Sequence, residues 1–106
     1  MVITMVAEEY INMQEHLLYI TGLIVRDIST LKKIRGVTAM WDEIENTAKI
    51  TFYYDGEANE EEIEDFSVAN AEIIAHCSNA LLDEKFIRWD YPKPLPSQFL
   101  AYKKDE

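Results

Sequence analysis

The stretch that decides the fold is residues 36–56, which read GVTAMWDEIENTAKITFYYDG. Apolar and polar residues alternate on both sides of a polar connection at residues 42–47, which predicts an antiparallel hairpin with one buried and one wetter face. Asp55-Gly56 is a turn signal and ends the second strand. The residues expected on the buried face are Val37, Ala39, Trp41, Ala48, Ile50, Phe52 and Tyr54, and those expected on the wetter face are Thr38, Met40, Lys49, Thr51 and Tyr53.

A long amphipathic helix is predicted before the hairpin. From Tyr10 to Leu31 the apolar residues recur in steps of three and four, which is one face of a helix. Gly36 supplies a stop signal. Gly22, in the middle, weakens the helix by about 1 kcal/mol relative to alanine. We interpret it as the site of a bend or of a close crossing.

A second helix is predicted after the hairpin. Asn59 is an N-cap candidate, and Glu62 stands at the third helical position, as in a capping box. The acids at the start of this helix are favoured by its macrodipole. The apolar face continues from Ile63 as far as Leu81.

A last strand is predicted at Phe86–Tyr91, with Trp89 facing the helices, and the alternating prolines 92, 94 and 96 end it. The order predicts an α+β fold, in which two helices pack on one face of a three- or four-stranded antiparallel sheet (α-β-β-α-β). If Val2–Met5 forms a further strand, the order becomes βαββαβ, a ferredoxin-like arrangement. We expect a single domain spanning residues 1–106.

Composition excludes several classes of protein. The chain has 20 acidic and 10 basic residues, a formal charge of −10 and one cysteine, so it cannot form an intrachain disulfide. No apolar run approaches the roughly 18 residues of a membrane span, and the first basic residue is Arg26, so a signal peptide is not expected. These features predict a cytoplasmic protein that avoids membranes and direct contact with nucleic acid, and that attracts basic partners.

The negative charge is concentrated in one part of the chain. Residues 36–84 hold 13 acids and a single basic residue, Lys49, which gives this stretch a net charge of −12. Solvation and helix initiation explain part of this excess, and the remainder predicts a surface for a basic partner. The residues expected to bind the partner are Asp42, Glu43, Glu45, Tyr53, Asp55, Glu57, Glu60, Glu61 and Glu64.

Residues that could carry catalysis or bind a metal form no pattern. His76 and Cys77 are neighbours on a helix and project about 100° apart, so they cannot point into one site. The loop at Asp55-Gly56 has its glycine at the second position, whereas an EF-hand needs it at the sixth. We therefore expect no catalytic residues, no metal site and no cofactor.

Three segments carry a resemblance: ITFYYDGE (50–57), EEEIED (60–65) and AEIIAH (71–76). In a small acidic α+β chain they resemble the immunity proteins of bacterial contact-dependent growth inhibition and of related polymorphic or colicin-like toxin systems, over about residues 8–103. The resemblance implies a cytoplasmic protein that binds its cognate toxin domain one to one and blocks the active site. Many such toxins are basic nucleases, so an acidic inhibitor would fill the groove meant for phosphates.

Two other functions are compatible with the sequence. The first is a small acidic interaction or regulatory domain with no toxin partner, either a monomer or a homodimer, that uses a sheet edge or the apolar residues near Met40 and Tyr53. The second is a small-molecule or enzymatic role, which would need a pocket with convergent polar groups.

Overall fold

The structure is a computed structural model that describes residues 12–77 and 79–106. The elements follow the order α1 (Met13–Arg26), a 3₁₀ turn (Leu31–Lys33), β1 (Ile34–Asp42), β2 (Thr47–Tyr54), α2 (Glu60–Ala75), β3 (Leu81–Arg88) and β4 (Leu100–Lys103). The strands form one sheet in the order β3-β2-β1-β4. The predicted strand at Val2–Met5 lies outside the described residues.

The predicted α+β class is confirmed, with both helices on one face of the sheet. Helix α1 packs on β1 and β4, and α2 packs on β2 and β3. The core lies between these layers, where the hairpin residues Val37, Ala39, Ala48, Ile50 and Phe52 are all fully buried. The hairpin register pairs Val37 with Phe52 and Ala39 with Ile50, as the alternation predicts.

The start of α2 is confirmed residue by residue. The Asn59 side chain accepts a hydrogen bond from the backbone N–H of Glu62, and the Glu62 side chain accepts one from the backbone N–H of Asn59. Two backbone donors at the helix end are thereby satisfied. Both helices are shorter than predicted. Helix α1 ends at Arg26, because the next four residues, 27–30, have low helix propensity. Helix α2 ends at Ala75 and does not reach Leu81.

The sheet differs from the predicted one in strand direction. β1 pairs antiparallel with β2 and with β4, but β2 and β3 are parallel. Helix α2 is the reason, because it returns the chain to the end of the sheet where β2 began, and β3 then runs in the same direction as β2. The sheet is therefore mixed.

The last predicted strand, Phe86–Tyr91, is wrong in position and in facing. β3 covers Leu81–Arg88, and Phe86 is the residue that packs inward, with its ring centroid 5.8 Å from that of Phe52. Glu84 also lies on the inner side, where Ser67 and Asn70 donate hydrogen bonds to its carboxylate. Because Glu84 is an acid at an inward position, the sequence of β3 does not show a regular alternation of apolar and polar residues.

Trp89 lies on the opposite side from the predicted one. Its ring meets Tyr53 edge-on at 5.6 Å, on the sheet face away from the helices. Its indole N–H donates to the carbonyl of Pro94, and the Lys93 ammonium lies 3.8 Å from the ring centroid. Trp89 therefore anchors the proline segment that leads from β3 to β4.

Candidate functional site

The predicted partner-binding acids lie at opposite ends of the β2 strand. Asp42, Glu43 and Glu45 surround the hairpin tip, whereas Tyr53 and the acids from Asp55 to Glu64 follow the other end of the strand. A strand of eight residues is roughly 23 Å long. The structure therefore divides the predicted surface into two separate groups.

At the hairpin tip, Asp42 has a structural role. Its Oδ1 accepts a hydrogen bond from the backbone N–H of Glu45 at 3.0 Å, and its Oδ2 lies 3.3 Å from the Lys49 ammonium. The hydrogen bond from the Glu45 backbone, followed by the contact with Lys49, lowers the pKa of Asp42 below its ordinary value. Glu43 and Glu45 are exposed and remain open to a partner.

At the far end of β2, Asp55 belongs to a turn linked to the exit of β3. Its Oδ1 accepts from the backbone N–H of Tyr91 at 3.3 Å, and Asp90 accepts from the backbone N–H of Gly56 at 2.8 Å. Arg88 bonds Asp90 at 3.1 Å and, together with the Gly56 N–H, lowers its pKa. Tyr53 is half-buried against Trp89 and is a less exposed anchor than the sequence predicts.

Glu62 is also engaged within the fold. Besides completing the capping box, it lies 3.2 Å from the Lys33 ammonium, which in turn donates to the carbonyl of Glu57 at 2.6 Å. The backbone hydrogen bond from Asn59 and the contact with Lys33 lower the pKa of Glu62. These contacts fasten the start of α2 to the turn before β1.

The other acids of α2 form an uncompensated outer surface. Glu60, Glu64, Val68 and Glu72 follow one another at four-residue intervals and are all exposed, with Glu61 beside them. The helix contains no lysine or arginine, and among the described residues none of its four exposed glutamates forms an ion pair. We call Glu60, Glu61, Glu64 and Glu72 the acidic face of α2. Sequence reasoning missed Glu72, although its four-residue spacing from Glu64 and Val68 indicates it.

A second surface lies on the open side of the sheet. The predicted wetter-face residues Thr38, Met40, Lys49, Thr51 and Tyr53 line one groove of about 310 Å³, which the segment at residues 96–99 partly covers. Lys49, Lys85 and Asp83 give this groove mixed charge, so it is chemically unlike the acidic face of α2. This groove is where the alternative interaction surface near Met40 and Tyr53 would lie.

Cys77, His16 and His76 are the remaining side chains that could take part in catalysis or metal binding. Cys77 is buried, and desolvation raises the pKa of its thiol. The Nε2 atom of His16 lies 3.4 Å from the carbonyl oxygen of His76, so this imidazole meets a backbone group. Within the described residues, no three His, Cys, Asp or Glu side chains converge as metal ligands.

Neither helix has the length and apolar character needed to cross a bilayer, as far as the described chain extends.

Comparison with known proteins gives one family. The sequence model of the MafI2 immunity protein family matches residues 24–104, which include the end of α1, all four described strands and α2. No curated protein matches the chain significantly. The match covers 81 of the 106 residues and therefore includes the acidic face of α2 and the hairpin tip. The chain belongs to the MafI2 immunity protein family, whose role is to neutralise a toxin protein, which indicates a non-enzymatic inhibitor.

Proposed function

We propose that this chain neutralises a basic toxin domain, with a nuclease as the expected class, by covering its active site with acidic surface. Family membership supplies the toxin partner. The observation that supports a basic partner is the acidic face of α2, which carries exposed glutamates and no basic residue along a helix about 24 Å long. A complementary surface on the toxin must therefore be positive.

The acidic face contains carboxylates that the free protein does not need for its fold. Glutamates four residues apart on a helix repel each other by about 0.2–0.5 kcal/mol per pair, and Glu60 and Glu64 are such a pair. The helix macrodipole offsets this repulsion at Glu60, but Glu64 and Glu72 lie beyond the first turn and have no such compensation. Solubility alone does not require acids at successive turns of one helix face. A partner that needs this charge gives the arrangement a use.

Opposite charge also suits the task of an inhibitor. Electrostatic steering raises association rate constants to about 10⁸–10⁹ M⁻¹s⁻¹ at low salt, compared with 10⁵–10⁶ for neutral surfaces. Carboxylates on a rigid helix can occupy positions that phosphates would take in a nuclease groove. We place this encounter in the cytoplasm, with one inhibitor bound to one toxin domain delivered by contact-dependent inhibition or a related system.

A charge-reversal experiment tests the proposal. Glu61, Glu64 and Glu72 are replaced together by lysine, and binding to a purified, inactivated cognate toxin domain is measured at two salt concentrations. We expect the association rate to fall at least tenfold at low salt, with a weaker dependence on salt.

The matched control reverses Glu15, Asp27 and Asp105, which are also exposed and change the net charge equally. Glu15 lies in the first turn of α1, so the control also includes a lost helix-terminal carboxylate. If both triple variants slow association equally, net charge acts without a defined surface. If neither does, the acidic surface is not the toxin-binding surface.

A further inference from the structure

The hairpin tip presents apolar side chains where a turn ordinarily has polar ones. Ile44, the second of the four turn residues, is 94% exposed, and Leu81 at the start of β3 is 63% exposed. The backbone N–H of Leu81 donates to the carbonyl of Asn46 at 2.9 Å, which brings the two segments side by side. Turns favour Gly because it tolerates positive φ angles, and Asn, Asp and Ser because their side chains hydrogen-bond to the nearby backbone. Isoleucine has neither property.

The tip is held rigidly around Ile44. The backbone N–H of Glu45 donates to Asp42, and the Thr47 hydroxyl donates to the Glu45 carbonyl at 2.9 Å. Asn46 takes a positive φ of 51°, a conformation that asparagine tolerates better than most residues. Its amide donates to the carbonyl of Asn79 at 2.8 Å and ties the tip to the segment before β3. Ile44 is therefore presented by a fixed loop.

Acids flank each of these two exposed apolar residues. Glu43 and Glu45 flank Ile44 along the chain, and Asp83 is exposed two residues after Leu81 on the same side of β3. Of the nearby bases, Lys49 is paired with Asp42 at 3.3 Å, and Lys85 lies beside Asp83 on the groove of the open sheet face. We call Glu43, Ile44, Glu45, Leu81 and Asp83 the tip cluster. It has an apolar centre and an acidic rim.

We propose that the tip cluster is an anchor that inserts Ile44 into an apolar pocket with a basic rim on the toxin domain. The proposal rests on the proposed function, because the toxin is the partner that supplies the basic rim. A second copy of this chain fits poorly, since two acidic rims would repel each other. Binding sites concentrate their energy in a few central residues that become desolvated inside a polar rim, and the tip cluster has this arrangement.

Isoleucine suits an anchor of this kind. Its branched side chain has few rotamers to lose, and the loop is ordered before binding, so little conformational entropy opposes insertion. Full burial of such a side chain corresponds to about 30-fold in affinity. The flanking carboxylates would set orientation and encounter rate, while the isoleucine would set the lifetime of the complex.

The test compares Ile44→Ser with Leu23→Ser. Leu23 is a residue of α1 that is 47% exposed beside Leu100 and Ala101 of β4, so its variant controls for the loss of an exposed leucine or isoleucine away from the tip. Binding to an inactivated cognate toxin domain is followed by surface plasmon resonance, and folding by thermal unfolding. We expect Ile44→Ser to weaken binding about 30-fold through faster dissociation, with the salt dependence of association and the melting temperature unchanged.

The outcomes separate this anchor from the acidic face. If Ile44→Ser binds as tightly as the wild type while reversal at Glu61, Glu64 and Glu72 slows association, the anchor is wrong and the proposed function stands. If the wild-type chain does not bind the toxin domain at all, both fail. If Ile44→Ser acts only by abolishing a dimer of this chain, seen by light scattering, the tip is a self-association surface and the anchor is wrong. If Leu23→Ser weakens binding equally, the effect is not specific to the tip and the anchor is again wrong.

Discussion

At the scale of single residues, the side chain of Arg35 donates hydrogen bonds to three different residues of the described structure. Its guanidinium is buried and donates to both carboxylate oxygens of Glu106, at 2.7 and 2.8 Å. The same side chain donates to the backbone carbonyls of Trp89 and Lys93. One residue of β1 therefore holds the exit of β3 and the segment after β4 together, on the side of the proline loop.

Neutralising Glu106 should reveal what this pair contributes. The hydrogen bonds from Arg35 lower the pKa of Glu106 below its ordinary value of about 4.3. A lowered pKa means that the stabilisation is present above about pH 4.3 and is lost as the pH falls through the folded-state pKa. We expect Glu106→Gln to lower the free energy of unfolding by about 1–2 kcal/mol at pH 7 and by much less at pH 3, measured by urea titration.

Asp105→Asn provides the control for that variant. It removes the same charge from an exposed neighbouring residue, so general charge effects appear in both variants. If the unfolding free energies of Glu106→Gln and Asp105→Asn follow the same course with pH, the contact between Arg35 and Glu106 does not stabilise the fold.

At the scale of elements, Gly22 sets how closely α1 approaches the edge strand β4. A Cβ atom at this position would lie 2.9 Å from the carbonyl oxygen of Ala101 and 2.7 Å from Arg26. The Arg26 side chain can move, but the Ala101 carbonyl is part of the sheet backbone. The close crossing predicted from the sequence is therefore confirmed.

The Gly22→Ala variant should change the free energy of unfolding in two opposite ways, through helix propensity and through the close contact with Ala101. Propensity favours alanine by about 1 kcal/mol, whereas overpacking against a backbone atom costs about 1–3 kcal/mol. We expect net destabilisation of about 1 kcal/mol in chemical denaturation. Ala71→Gly, on the exposed side of α2, measures the propensity difference alone. A Gly22→Ala protein that is more stable than the wild type would contradict the close packing of α1 on β4.

The sequence predicts the elements that carry their own local signals. The hairpin follows from strict alternation around a polar turn, and the start of α2 follows from Asn59 and Glu62. The β4 strand has no such signal, because it has four residues and pairs with β1 only after the proline segment has brought it back. β3 is misplaced because the inward carboxylate of Glu84 is satisfied by Ser67 and Asn70, partners that only the tertiary structure supplies.

The sequence predicts that the candidate surface is acidic, but it does not predict where the acids lie relative to one another. Acids from Asp42 to Glu64 are close in sequence, yet the extended β2 strand carries them to opposite ends of the sheet. Asp42, Asp55 and Glu62 turn out to be bonded within the fold, which leaves fewer carboxylates for a partner. Periodicity within α2 adds Glu72, and only the exposed position of Ile44 reveals an apolar centre at the tip.

At the scale of the whole molecule, the charge of −10 acts on stability as well as on binding. Like charges in a folded chain lie closer together than in the unfolded one, so a large net charge opposes folding. Four ion pairs act in the other direction among the described residues, and two of them, Lys49 with Asp42 and Lys33 with Glu62, neutralise acids of the 36–84 stretch. The uncompensated acids outnumber those pairs.

Salt should therefore stabilise the free protein. Screening reaches over about 30 Å at 0.01 M salt but only about 8 Å at 0.15 M, so added sodium chloride weakens the repulsion among the glutamates of α2. We expect the free energy of unfolding to rise by roughly 0.5–1 kcal/mol between these concentrations, and to rise less in a Glu60→Gln, Glu64→Gln double variant. Asp27→Asn with Asp105→Asn lowers the net charge equally but leaves the Glu60 and Glu64 pair intact, so it should keep more of the salt response. A free energy that falls with salt in the wild type would mean that the ion pairs dominate. The expected result links the two roles of the acidic face, because the same two carboxylates would account for part of the salt response of stability and for part of the attraction to a basic toxin.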